Sequence, residues 1–205
     1  PTPQEFIIQD GSIDIPRQYQ LVSGNFLEGN SALSLLHSLM PNEVSNAIFR
    51  VYVGVKGDKF LKEIQRRIPQ KSEGYFLKIE KDRIIIGGAD ERGAYYGVQT
   101  LAQLLLRDKL PLIEVTDYPD IPYRGVVEGF YGTPWSQEAR MRQLEFYGQN
   151  KMNVYLYGPK DDPYHSTPDW RKPYPPQEAE QLKLLVDKAN ENNVIFYWAI
   201  HPGQD

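Results

Sequence analysis

Arg124-Gly-Val-Val-Glu-Gly-Phe-Tyr-Gly-Thr-Pro-Trp135 leads into a helix-like run, and that run leads into Asn153-Val-Tyr-Leu-Tyr-Gly-Pro-Lys-Asp-Asp162. The order reads as strand, glycine-aromatic turn, helix, strand and polar loop. Val126 and Val127 are β-branched and stand directly before a turn that uses Gly129 and Gly132. Glycine in such a place permits positive φ or lets a ligand approach bare backbone. The second strand ends in Gly158-Pro159 and then delivers Lys160, Asp161 and Asp162. Consecutive strands thus carry functional-looking residues at their carboxyl ends, where parallel α/β sheets build their sites.

The alternation continues downstream. Ser136 can cap a helix that runs to Gly148. A second helix spans 176–193, with proline in its first turn and an Asn-rich exit, and a third strand spans 194–200. Strand–helix alternation of this kind builds βαβ units on a parallel sheet. The third strand, Val194-Ile-Phe-Tyr-Trp-Ala-Ile200, is almost wholly apolar, as strands buried on both faces are. At the edge of a three-stranded sheet it is an aggregation hazard, and three strands do not close a barrel. The fold expected for residues 121–205 is therefore the first three strands of an incomplete (β/α)8 TIM barrel, with the chain a fragment that stops after strand three.

Upstream, residues 1–120 read as a small N-terminal α/β domain. Short strands are expected over 6–9 and 19–22, separated by Asp10-Gly11 and Pro16. Asn30 or Ser31 can cap a helix that carries Leu33, Leu36, Leu39 and Met40 on one face and ends at Pro41. Residues 48–53 alternate as a half-buried strand does, and 58–67 read as a helix. Residues 75–79 and 84–86 flank a hairpin, Asp90 caps a helix running to about Leu106, and 112–115 form a further strand. The segment Asp117-Tyr-Pro-Asp-Ile-Pro122 holds two prolines in four residues and forms a stiff junction.

Bulk properties narrow the classes. With 205 residues, a net charge of −4 and no Lys/Arg block, nucleic acid is not an expected partner. There is no apolar run of about 18 residues, so no membrane span is expected. The chain has no cysteine, which excludes disulfides and thiolate metal sites but leaves the compartment open. Its 14 tyrosines suit surfaces that bind sugar rings, although most Tyr simply packs at core margins.

For chemistry, Asp161-Asp162 is the obvious carboxylate pair. Acid–base work and loop ordering are both open to it, and ion pairing with neighbouring Lys160 is enough to explain the cluster. Glu128 is either catalytic or a structural residue beneath the site. Lys160 is either an ion-pair partner or a donor to a substrate hydroxyl. His165 and His201 show no tight ligand spacing with Asp161, so no metal site is expected. No nucleophile elbow, P-loop or dinucleotide fingerprint occurs, so no cofactor is expected. What remains is metal-independent chemistry on a polar ligand.

These segments, together with Trp198-Ala-Ile-His-Pro-Gly203, closely resemble the family 84 glycoside hydrolases, the β-N-acetylglucosaminidases of O-GlcNAcase type, with the nearest look to gut Bacteroides members. Arg92-Gly-Ala-Tyr-Tyr-Gly-Val-Gln-Thr-Leu101 resembles the non-catalytic α/β domain that precedes the barrel in several hexosaminidase-like families. The resemblance implies hydrolysis of terminal β-linked N-acetylglucosamine with retention, by substrate-assisted catalysis through an oxazoline. It implies that the Gly129 backbone carbonyl takes a sugar hydroxyl and that Lys160 donates to the same ring edge. The family's catalytic Asp-Asp pair follows the fourth barrel strand. It is therefore expected beyond Asp205, no residue of this chain is assigned as catalytic, and the fragment alone is expected to be inactive. Asp161-Asp162, after the second strand, is not that pair. The partner implied is an N-acetylglucosamine-bearing glycan or glycoprotein, in a periplasmic or secreted setting. The alternative from another class is a non-catalytic carbohydrate-binding or adaptor module.

Overall fold

The computed structural model describes residues 1–26, 29–129, 131–165 and 169–200. It resolves into two compact units, Pro1–Asp120 and Ile121–Asp205.

The first unit is a mixed six-stranded sheet. Its strands are β1 (Glu5–Asp14), β2 (Gln20–Ser23), β3 (Arg50–Val55), β4 (Tyr75–Ile79), β5 (Arg83–Gly88) and β6 (Lys109–Asp117), in spatial order β1-β6-β4-β5-β3-β2. Strand alternation sorts the side chains onto the two faces. Val51, Val53, Tyr75, Leu77, Ile84, Ile86, Ile113 and Val115 pack with α1 (Ser31–Leu39) and α2 (Glu91–Leu104). Their chain neighbours Tyr52, Phe76 and Ile85 face the other way and meet Leu61, Ile64 and Ile68. Both helices start on the side chains the sequence points to: Asn30 Oδ1 accepts from the Ala32 N–H at 2.9 Å, and Asp90 Oδ1 accepts from the Gly93 N–H at 2.8 Å.

Two local expectations fail here. Residues 58–67 do not form a helix; they make a short 3-10 turn, Lys59–Leu61, continued by tight turns such as Ile64 N–H to Leu61 C=O at 3.0 Å. Leu61, Ile64 and Ile68 still meet Phe76 and Ile85 on the second sheet face, but from successive i→i+3 turns rather than a helix. Asp10-Gly11 does not separate two strands either. β1 runs through it, with the register slipping between Ile8 and Ser12 and Gly11 at φ 109°. That is a bulge, which glycine's freedom at positive φ allows.

The second unit alternates as expected: β7 (Gly125–Glu128), α3 (Gln137–Gln149), β8 (Val154–Tyr157), α4 (Pro176–Glu191) and β9 (Ile195–Trp198). The strands are parallel in the order β7-β8-β9, with Glu128, Tyr157 and Trp198 in one register row at their carboxyl ends. Ser136 caps α3 through the Ala139 N–H, and Pro176 opens α4. Both helices leave through a left-handed residue, Lys151 at φ 60° and Asn193 at φ 55°. The following N–H then reaches back five residues, Met152 to Tyr147 C=O and Val194 to Ala189 C=O. One sheet face is closed by Leu144, Tyr147, Tyr155, Tyr157, Leu185 and Ala189. On the opposite face the row Val127, Leu156, Tyr197 is open, with Val127 66% exposed.

The strand starts are pinned by one polar knot. The Arg124 N–H donates to Asn153 Oδ1 at 2.9 Å, Asn153 Nδ2 donates to Pro122 C=O at 2.7 Å, and Arg124 Nε donates to Lys151 C=O at 2.9 Å. Gly125 sits in that knot because a Cβ there would fall 1.7 Å from the Val154 carbonyl oxygen. The chains approach so closely that only glycine fits.

Candidate functional site

The carboxyl ends of β7 and β8 carry the residues of interest. Glu128, the last residue of β7, is buried and saturated. Arg140 from α3 grips it in a fork, Nη2 to Oε1 at 2.8 Å and Nε to Oε2 at 2.9 Å. The Trp135 N–H donates to Oε1 at 3.1 Å, and the Tyr155 hydroxyl donates to Oε2. Burial by itself pushes the Glu128 carboxyl up, but the bonds from Arg140, Tyr155 and Trp135 outweigh it and hold the group below the usual carboxylate range. The same burial, with Glu128 alongside, pushes the Tyr155 hydroxyl up. Glu128 is thus an ionised anchor beneath the strand ends, with no lone pair aimed at solvent. Of the two readings open for it in the sequence, this geometry fits the structural one.

Gly129 follows directly. No heavy atom lies within 4 Å of where its Cβ would be, whereas Gly132 takes φ 83°. The turn therefore uses its glycines differently, one for open approach and one for backbone shape. Phe130 lies outside the described residues. Tyr131 is 98% exposed beside the opening.

From β8, Gly158 N–H donates to Glu128 C=O at 2.9 Å, which ties the two strand ends together. The next residues turn: Asp162 N–H donates to Pro159 C=O at 3.2 Å, so Lys160 and Asp161 occupy the tip. Lys160 is exposed and makes no ion pair among the described residues. The two aspartates part ways. Asp161 is exposed, with Arg140 Nη2 4.0 Å from its Oδ1. Asp162 is buried; it accepts from the Tyr164 N–H at 2.8 Å and from the Tyr174 hydroxyl at 2.7 Å. Ion pairing with Lys160 therefore does not account for this cluster. Arg140, the Tyr164 N–H and the Tyr174 hydroxyl take up the carboxylates instead, and the ammonium is left exposed.

Arg140 and Tyr174 were not singled out in the sequence. For Arg140 a signal existed: it stands on the buried stripe Arg140, Leu144, Tyr147 of α3, where an arginine must have a partner. Tyr174, in the segment before α4, gives no such signal. No cluster of metal-ligating side chains occurs among the described residues; the His165 side chain and His201 lie outside them. No described helix is long and apolar enough to cross a membrane.

Comparison with known proteins divides the chain at the same junction. Residues 124–205 match the family model described as beta-N-acetylglucosaminidase, and residues 1–118 match that of glycosyl hydrolase family 20, domain 2. The protein O-GlcNAcase of Rattus norvegicus is 47% identical over 81 residues, covering 40% of this chain and 9% of that protein. A beta-hexosaminidase of Vibrio vulnificus is 28% identical over 165 residues, covering 79% of this chain and 18% of that protein. The solved structure of CpGH84B is 37% identical with a TM-score of 0.89, and it covers all of this chain and 37% of that one. The chain thus spans under a fifth of the length of these two curated relatives.

Proposed function

The chain belongs to the family 84 glycoside hydrolases, the β-N-acetylglucosaminidases, and we propose that the protein it forms part of removes terminal β-linked N-acetylglucosamine with retention. In this reading residues 1–120 are the hexosaminidase-like α/β domain that precedes the catalytic one. Residues 121–205 contribute β7, β8 and β9 as the first three strands of a (β/α)8 barrel. The open row Val127, Leu156, Tyr197 then faces the barrel interior, which explains why this side of the sheet is apolar and uncovered.

The observation that carries the reading is the state of Lys160. Two carboxylates follow it in sequence, both have other partners, and the ammonium stands exposed beside an open Gly129. The backbone carbonyl of Gly129 accepts one sugar hydroxyl, and Lys160 Nζ donates to the same ring edge. A charge-assisted bond of that kind is stronger than a neutral one. The chemistry proceeds by attack of the substrate's own 2-acetamido oxygen on the anomeric carbon, giving an oxazoline and releasing the aglycone. An intramolecular nucleophile has a high effective molarity, so the protein mainly orients and protonates. One carboxylate orients the acetamido N–H, and a second protonates the leaving oxygen and then activates water. Neither is assigned to a residue of this chain. No cofactor enters the scheme.

The test is turnover of an aryl N-acetyl-β-glucosaminide by the full-length protein and by this chain alone. Turnover by the full-length protein only is expected. If the full-length protein binds N-acetylglucosamine yet turns nothing over, it is a carbohydrate-binding module and the enzymatic reading is wrong.

A further inference from the structure

Lys160 sits at the tip of a four-residue turn, and the geometry of that turn is decided two residues later. Asp162 closes the turn through its N–H to Pro159 C=O at 3.2 Å. Its carboxylate, 7% exposed, is then tied in several directions. Oδ1 accepts from the Tyr164 N–H at 2.8 Å, which fixes the chain leaving the turn. Oδ2 accepts from the Tyr174 hydroxyl at 2.7 Å. Burial, with the Asp162 carboxylate nearby, pushes the hydroxyl of Tyr157, the last residue of β8, up. Tyr174 is itself oriented, since its hydroxyl accepts from Trp198 Nε1 at 2.8 Å and its ring lies 4.7 Å from that of Tyr164. The single Tyr174 proton is therefore committed to Asp162, because the other side of the oxygen is occupied by a donor.

We propose that Asp162 and Tyr174 are positioning residues for Lys160. Through them the carboxyl end of β9, at Trp198, sets where the Lys160 ammonium stands relative to the end of β8. This rests on the reading of Lys160 as a substrate-binding residue. The pair has the features such a role needs. Its Asp162 end is buried, which favours protein partners over water there. Its bonds run to the Tyr164 backbone and, through Tyr174, to Trp198 at the end of β9, so tilting the tip breaks one of them. It also leaves Lys160 without an ion pair among the described residues. A loop-capping aspartate needs only its bond to Tyr164; the reach to Tyr174 and Trp198 adds the link to the next strand.

The experiment is a double-mutant cycle in the full-length protein, with an aryl N-acetyl-β-glucosaminide as substrate. Tyr174→Phe keeps the ring and removes the hydroxyl. It is expected to raise KM about 3- to 10-fold, the effect of one lost hydrogen bond, with kcat changed much less. In a Lys160→Ala background the same substitution is expected to do nothing further to KM, because its effect passes through Lys160. Trp198→Phe, which removes the donor to Tyr174, gives an independent variant should Tyr174→Phe lose its fold, and the same pattern is expected of it. Additive effects of Tyr174→Phe and Lys160→Ala, or equal losses in kcat and kcat/KM, would overturn the positioning role and leave the substrate reading standing. An unchanged KM in Lys160→Ala alone would overturn the substrate reading and the proposal with it.

Discussion

Glu128 and Arg140 meet as a buried forked pair, with Nη2–Oε1 2.8 Å and Nε–Oε2 2.9 Å, joining the last residue of β7 to the first buried position of α3. The fork fixes the strand end from which Gly129 departs. Tyr155 on β8 closes it from the neighbouring strand.

Breaking this pair from one side strands a buried charge. Glu128→Gln is expected to cost about 3–5 kcal/mol of stability, the range for an unpaired buried ion. Replacing both partners by apolar residues of similar size, Glu128→Leu with Arg140→Met, is expected to recover much of that loss. Denaturant midpoints of the wild type, the single variant and the double variant decide it. A single variant as stable as the wild type would show that the carboxylate is not the anchor.

The same group sets an acid limit. The folded Glu128 carboxyl titrates below its ordinary value, so its contribution is fully present above the unfolded value of about 4.3. It is lost as pH falls through the lower folded value. Stability should therefore rise with pH below about pH 4.3, and that slope should be shallower in Glu128→Gln than in the wild type. Thermal unfolding followed from about pH 2 to pH 6 reads the difference directly.

Two glycines on either side of one strand are expected to behave oppositely. Gly125→Ala puts a Cβ 1.7 Å from the Val154 carbonyl and should force β7 and β8 apart, with a large loss of Tm. Gly129→Ala meets nothing within 4 Å, so stability should move by no more than about 0.5 kcal/mol. Its added methyl instead occupies the open approach, and KM for an N-acetylglucosaminide should rise in the full-length protein. A large Tm loss in Gly129→Ala would contradict the open geometry.

Lys160→Ala should leave Tm unchanged, since the exposed ammonium has no ion pair among the described residues. It removes a charge-assisted bond worth about 1.5–3 kcal/mol, so KM should rise roughly 10- to 100-fold. Calorimetric titration with N-acetylglucosamine and steady-state kinetics check the two halves separately.

The sequence by itself determined the order of elements, because that order rests on short-range physics. Strand and helix periodicity, the caps Asn30, Asp90 and Ser136, and the stop signals at Pro41 and Asn193 all act within a few residues. It also put Gly129 and Lys160 at the ends of neighbouring parallel strands. The structure decided what depends on distant partners. Residues 58–67 form tight i→i+3 turns in place of a helix while Leu61, Ile64 and Ile68 pack on the sheet. Asp10-Gly11 became a bulge because β6 continues beside it. The adjacent carboxylates Asp161 and Asp162 look equivalent in sequence, yet one is exposed and the other is held by Tyr174 across twelve residues. Glu128 found Arg140 at the same separation of twelve. Electrostatic and hydrogen-bond partners are chosen by proximity in space, and local sequence carries no record of that choice until the sheet has formed.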